Sequence, residues 1–385
     1  MTFFIILGEM SGLYIHIPFC ASRCIYCAFY STTRHELKDR YVDALCREMA
    51  MRRNDGESPH PRTLYIGGGT PSQLSALQIH RILDNADSVF GLSGIEEATI
   101  ECNPDNINGE FLSGIRDTAI NRISIGIQSL DDGILELIHR RHTAAEALYA
   151  IELCKSAGFS NISADLIYGL PGQTCDSFQR DLQTLADLGT PHISAYCLSY
   201  EEGTPLHRML ADGRIHQAPD DVCADMYMIL CNTLKDNGYW HYEISNFCRP
   251  GYRSQHNSSY WNRTEYIGLG AAAHSFDGII RRWNISDIDK YITGILSGNP
   301  SFGQERLTDS DRYNETLMLS LRTSDGLSIN DIQHDFGKDA VGRLLSSAAE
   351  WIESGDLILS DDGRMRLTES GLFRSDGIVS SMFID

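Results

Sequence analysis

Six short apolar runs, each followed by a turn and then by a stretch of helical periodicity, pattern the first half of the chain. They are GLYIHI (Gly12 to Ile17), TLYIGG (Thr63 to Gly68), ATIECN (Ala98 to Asn103), RISIGIQ (Arg122 to Gln128), ISADLIYGL (Ile162 to Leu170) and HISAYCLS (His192 to Ser199). Their length and their β-branched content predict strands. Stretches such as HELKDRYVDALCREMAMR and TAAEALYAIELCKSAG between them predict helices, the second stopping at Gly158. Six β/α units in series imply a parallel sheet with right-handed crossovers. A closed barrel of this kind takes eight units. The expected fold is therefore α/β, a partial (β/α)6 TIM-like barrel open on one side.

Beyond about residue 210 the alternation gives way to a mixed region rich in Tyr, Trp and His. From Asp309 three helical stretches lead into LILSDDGRMRLT, a hairpin around an Asp-Gly turn. Helices followed by a hairpin predict a small winged-helix-like C-terminal domain. The expected division is 1–210 for the barrel, 211–305 for its extension and 306–385 for the C-terminal domain. That last segment is not basic, so it is expected to be structural or to cover the barrel mouth rather than to bind DNA.

Charge narrows the partners. Fifty-two acidic against 32 basic residues give a formal net charge of −20, which repels nucleic acid and anionic lipid heads alike. No nucleic-acid partner is expected, and of membrane associations only a peripheral contact stays open. The opening MTFFIILGEMSG has an apolar run too short for a span and no charged lead of a signal peptide. Met10 offers an alternative translation start to Met1. The eleven cysteines form an odd set without paired spacing, which points to a reduced, cytoplasmic setting. Monomer and homodimer are both compatible with the sequence.

Three of those cysteines, Cys20, Cys24 and Cys27, form C-x3-C-x2-C directly after the first strand, within YIHIPFCASRCIYCAF. A structural zinc site would draw four ligands, and no second cluster stands at ligand spacing. Three thiolates suit an iron–sulfur cluster with one iron left open for a further ligand. The second strand ends in GGGTPS, Gly67 to Ser72, where glycines allow close approach to the backbone. Polar residues recur at the same end of later strands: Glu101, Gln128 and Asp165. Ligand sites of β/α barrels are built at that mouth from several strands.

With these motifs the chain resembles the radical S-adenosylmethionine family, and within it the subgroup of oxygen-independent coproporphyrinogen III oxidases and their relatives. YGLPGQT, Tyr168 to Thr174, is a further mark of that subgroup. The resemblance implies a 4Fe-4S cluster on Cys20, Cys24 and Cys27, with S-adenosylmethionine on the open iron. It implies cofactor contacts from Tyr14, Tyr26, Gly68, Gly69, Thr70, Glu101, Gln128, Arg140 and Asp165. It also implies an electron donor for the cluster.

The subgroup offers three outcomes. The oxidase decarboxylates propionates of coproporphyrinogen III and carries a further cysteine two residues after the third. Here Ala28 and Phe29 follow Cys27, and only 19 residues precede Cys20. Heme chaperones of the subgroup lack that cysteine, start close to the cluster and carry an HNxxYW motif, matched here by HNSSYW, His256 to Trp261. That similarity implies heme as a third cofactor, delivered to a heme-dependent client protein, with His256, Asn257, Tyr260 and Trp261 as its expected contacts. His and Tyr can ligate heme iron, and Trp offers a flat apolar face. Arg249, Arg253 and Arg263 are candidate propionate partners, and His274 competes as iron ligand. Radical methyl transfer is the third outcome.

Overall fold

The computed structural model describes residues 12–54 and 60–384. The candidate start at Met10 lies outside them.

All six expected strands form, as β1 (Gly12–Ile17), β2 (Thr63–Gly68), β3 (Glu97–Cys102), β4 (Arg122–Gln128), β5 (Asn161–Tyr168) and β6 (His192–Cys197). They pair in sequence order and in parallel. β3 and β5 each begin one residue earlier than the apolar pattern alone suggests, and β5 and β6 stop two residues sooner.

Alternation along each strand sorts the side chains by face. Leu13, Ile15, Ile17, Leu64, Ile66, Ile100, Ile123, Ile125 and Leu166 point to the helices and are essentially inaccessible to solvent. Facing helices meet them with matched stripes. The helix Ala144–Ser156 buries Ala147, Ala150, Ile151 and Cys154, a three-and-four spacing, and starts in a capping box between Thr143 and Glu146. The opposite, concave face is polar: Tyr14 and His16, Thr63 and Tyr65, Glu97 and Glu101, Arg122 and Ser124, Ser163 and Asp165, His192 and Ser194. A sheet with one oily and one polar face has its core under the helices and keeps its inner face for ligands.

The mixed region does not form a separate layer. It extends the same sheet at both edges, with β7 (Trp240–Glu243) and β8 (Asn246–Cys248) beyond β6, and β9 (Tyr266–Leu269), β10 (His274–Phe276), β11 (Ile280–Asn284) and β12 (Phe302–Arg306) beyond β1. Only β9 joins in parallel; β10, β11 and β12 are antiparallel to their neighbours. The sheet thus holds twelve strands and stays open.

Residues beyond 306 build their own core from Tyr313, Leu317, Leu321, Ile332, Leu344, Leu357 and Met365. Three helices, Asp309–Ser320, Ile329–Phe336 and Lys338–Ser354, precede the hairpin of β14 (Leu357–Leu359) and β15 (Arg364–Leu367), to which the short β13 (Leu327–Ser328) adds. This unit does not cover the mouth. It pairs Thr323 with Glu243 on β7, and it holds Arg263 and Arg281, at the lower end of the other edge, through Arg312, Thr316 and Glu315. It therefore bridges the two free edges of the open sheet on the floor side, where the strands begin. No helix among the described residues is long and apolar enough to cross a membrane.

Candidate metal and cofactor site

The cysteine loop is pinned from both ends. Cys20 N–H donates to Thr32 O at 2.9 Å, and Thr32 N–H donates to Pro18 O at 2.7 Å. In the middle, Ile25 is buried with Ile134, Ile138, Leu170 and Leu206, while Leu206 N–H donates to Ile25 O at 2.9 Å. Apolar anchors at Phe19, Ile25 and Tyr26 thus hold a loop whose three cysteines all stay partly accessible.

The glycine run at the end of β2 serves this loop. Gly69 N–H donates to Ile17 O and Thr70 N–H to Phe19 O. A methyl group on Gly69 would lie 2.8 Å from the Pro18 carbonyl carbon, and one on Gly68, whose φ is +114°, would strike the His16 ring at 2.5 Å. The space that glycine leaves is filled by the protein itself, by the start of the cluster loop over Gly69 and by the His16 ring of β1 over Gly68, and the spacing alone did not reveal that.

Side-chain donors reach the sulfurs. Thr70 Oγ1 donates to Cys20 Sγ at 3.6 Å and Arg140 Nη1 to Cys24 Sγ at 3.3 Å. Arg140 also bonds Asn103 Oδ1 and Gly126 O, and its buried Nε has no partner. Burial opposes the guanidinium charge, while Tyr26 and Cys24 beside it hold its pKa above the ordinary value. Gln128, at φ +72°, brings its amide to the same Gly126 backbone. Burial pushes the Cys20 and Cys27 thiols up. Three cysteines gathered on one loop beside a buried cation without a carboxylate suit an iron–sulfur cluster, which would hold them as thiolates.

On the inner face below, Glu101 accepts from Tyr65 OH at 2.7 Å and from Gly68 N–H at 2.9 Å. Burial raises its pKa, and these two bonds work against the rise. Asp165 accepts from Ser124 Oγ at 2.9 Å and Ser163 Oγ at 3.1 Å, and burial raises it likewise. Tyr14 stacks on Tyr65, with ring centroids 6.1 Å apart, and donates or accepts at His16 Nδ1 over 3.0 Å. These carboxyls and phenols offer a polar wall to an amino acid and a ribose.

The HNSSYW segment lies elsewhere. It forms the helix Gln255–Trp261, capped by Ser254, inside the floor of the barrel. Its backbone N–H groups at Gln255 and His256 donate to Glu97, at the start of β3. His256 is 0% exposed, with Nδ1 on Thr63 Oγ1 at 2.8 Å and Nε2 on Tyr260 OH at 2.9 Å. Asn257, Tyr260 and Trp261 are half-buried on the same turn. The structure therefore groups the cysteines with Thr70, Arg140 and Tyr26, and Glu101 with Gly68 and Tyr65, but keeps His256 at the opposite end of the strands. Arg249 lies over the Tyr239 ring, Arg253 pairs with Asp325 and Arg263 with Thr316, so the three arginines are engaged within the protein.

The radical SAM superfamily pattern matches residues 14–185, and the HemN C-terminal domain pattern matches residues 307–374. Fold and site thus define a radical SAM protein with a HemN-type C-terminal domain. The chain is 33% identical over 380 residues to the heme chaperone HemW of Lactococcus lactis, covering 98% of this chain and 99% of that one. It is 34% identical over 365 residues to the heme chaperone HemW of Bacillus subtilis, covering 94% and 96%. The chain belongs to the HemW family of radical SAM proteins. Among solved structures it resembles coproporphyrinogen III oxidase (HemN) from Escherichia coli, at TM-score 0.85 and 23% identity over 97% of this chain and 90% of that one, a likeness of fold.

Proposed function

We propose that this protein is a heme chaperone, binding heme and passing it to a heme-dependent client in the cytoplasm, with a 4Fe-4S cluster and S-adenosylmethionine as resident cofactors. The observation that carries the reading is the end-to-end similarity to proteins named heme chaperone HemW, through barrel and C-terminal unit alike. Ala28 and Phe29 after Cys27 support it, because the oxidase carries its further cysteine at the second of those positions.

Cys20, Cys24 and Cys27 would hold the cluster. Tyr14, Tyr26, Gly68, Gly69, Thr70, Glu101, Gln128, Arg140 and Asp165 would surround S-adenosylmethionine. When bound, the pair supplies one-electron chemistry fed by an external electron donor. The chain's own contribution is positional. Arg140 and Thr70 steady the sulfurs, and Glu101 and Asp165 present acceptors to amine and hydroxyl groups.

The test is made on anaerobically reconstituted protein, with heme and coproporphyrinogen III supplied separately. Heme should bind stoichiometrically and move to an apo heme protein, with no protoporphyrinogen formed. Turnover of coproporphyrinogen III to protoporphyrinogen IX would overturn the assignment.

A further inference from the structure

The six parallel strands contain three acids, Glu97, Glu101 and Asp165, and a single Arg or Lys, Arg122 at the start of β4. All four stand on the inner face. Arg122 is 1% exposed, yet none of its three guanidinium nitrogens has a hydrogen-bond partner among the described residues. Its ion pair is with Glu97, Nε to Oε2 at 3.9 Å. That carboxylate is already served by Ser254 Oγ and by the backbone N–H groups of Gln255 and His256. A buried guanidinium that makes no hydrogen bond acts on its surroundings chiefly through its charge.

We propose that Arg122 is a positioning residue of the cofactor site, whose charge keeps Asp165, and with it Glu101, as carboxylates able to accept from the amine and hydroxyl groups of S-adenosylmethionine. The inference rests on the radical SAM reading and adds to it a residue that lies outside the cofactor contacts.

The layers of the sheet set the distances. Arg122 pairs with Asn161, and Ser124 pairs with Ser163 one layer nearer the mouth. Asp165 belongs to the next layer, opposite Gly126, but its carboxylate accepts from Ser124 Oγ and Ser163 Oγ and so hangs down toward them. Two residues along a strand span roughly 7 Å, within the reach of an arginine side chain. Burial raises the Asp165 pKa, and the Ser124 hydroxyl and then the Arg122 charge oppose that rise. Burial raises Glu101 likewise; Tyr65 and Gly68 oppose it, Asp165 adds to it, and Arg122 works against it. Without the cation, Glu101 and Asp165 would face each other as like charges in a buried wall, which favours a proton on one of them.

The other groups nearby cannot replace it. Around Glu101, burial holds the phenols of Tyr14, Tyr65 and Tyr260 and the thiol of Cys102 in their neutral forms. Tyr196, beside Asp165, keeps its phenol proton. On the floor side, burial and then the Arg122 charge hold His192 and His256 neutral, and burial keeps the protons on Tyr242 and Cys248.

S-adenosylmethionine binding to the reconstituted full chain is measured by equilibrium dialysis from about pH 8 to about pH 6, with iron and sulfide assayed in each sample. A protonated carboxyl no longer attracts the cationic cofactor, so affinity falls with pH wherever the carboxyls lose their counter-charge. Arg122→Met should lose about tenfold in affinity across this range beyond the wild-type change, the size of one pKa unit, whereas Arg122→Lys should follow the wild type. Glu97→Gln should melt at a lower temperature and keep the wild-type profile. Asp165→Asn, which keeps the shape and removes the charge, should bind about tenfold more weakly than the wild type at pH 8. An Arg122→Met protein weakened by one factor at every pH overturns the positioning role, and so does a Glu97→Gln protein with the same pH slope as Arg122→Met. If Arg122→Met does not fold, Asp165→Asn decides: wild-type affinity in it would mean that Asp165 is already neutral and needs no counter-charge. A wild type that takes up iron but no S-adenosylmethionine overturns the cofactor reading and this inference with it.

Discussion

His256 spends both ring nitrogens inside the protein, on Thr63 and Tyr260, and its own backbone N–H on Glu97. Stacked on Tyr65 and close to the Arg122 charge, it is held neutral by burial, with its pKa pushed down to about 3. The sign of the linkage follows. Unfolded, this residue takes a proton below its ordinary value of 6.5, whereas folded it does so only near 3. Its contribution to stability is therefore complete above pH 6.5 and falls away as pH drops toward 3. His16 and His142, each held near 4, add contributions of the same sign. Glu243, pushed up to about 7, works in reverse, contributing below 4.5 and losing its contribution as pH rises through 7. The wild type should lose melting temperature from pH 7 to pH 5 by calorimetry. His256→Gln should lose less over the same interval. An equal loss in both proteins would show that this ring does not sense pH from the floor of the barrel.

At the scale of elements, the six parallel strands were legible because each is an apolar run bounded by turn residues and followed by a helix of clear period. β7 to β12 were not. They are only three to five residues long, and although several pair as local hairpins, the strands that dock them on the barrel meet partners far off in the chain, as when Gly12 of β1 meets Tyr266 of β9. Periodicity carries no record of such pairings. The cysteine loop shows the same divide. Its three ligands and Arg140 could be found from motif and family likeness, yet the role of the glycines depended on which backbone lay above them. Gly69 lies beneath Pro18 and Phe19, so Gly69→Ala should lift the loop and lower bound iron after reconstitution, with the helical content unchanged. Iron and sulfide analysis beside circular dichroism decides it. Full iron loading in that variant would mean that the loop adjusts without disturbing the cysteines.

The whole molecule closes on its floor side. The helix Gln255–Trp261 fills the floor from within, and the C-terminal unit ties together the two edges that an incomplete barrel leaves free. Helices followed by a hairpin could be read from the chain as a winged-helix-like unit. Its docking could not, because the ties are single contacts between residues far apart in sequence. Arg253 is the most connected of them: Nη2 donates to Asp325 at 2.8 Å, Nε donates to Ser258, and the guanidinium lies over the rings of Trp240 and Tyr242. The rings and Ser258 only orient the guanidinium; the ion pair alone crosses to the C-terminal unit, and because Asp325 is half-exposed and solvent weakens it, the pair is worth about 1 kcal/mol at most. That is too little to unfold a unit with its own core, but enough to let it detach more often. Arg253→Ala should therefore speed proteolytic cutting between 307 and 326 by up to about fivefold, the size that about 1 kcal/mol allows. Iron content should stay at the wild-type level, because the cysteine loop hangs from the opposite end of the strands. Loss of iron without faster cutting would mean that the C-terminal unit supports the cluster instead of closing the floor.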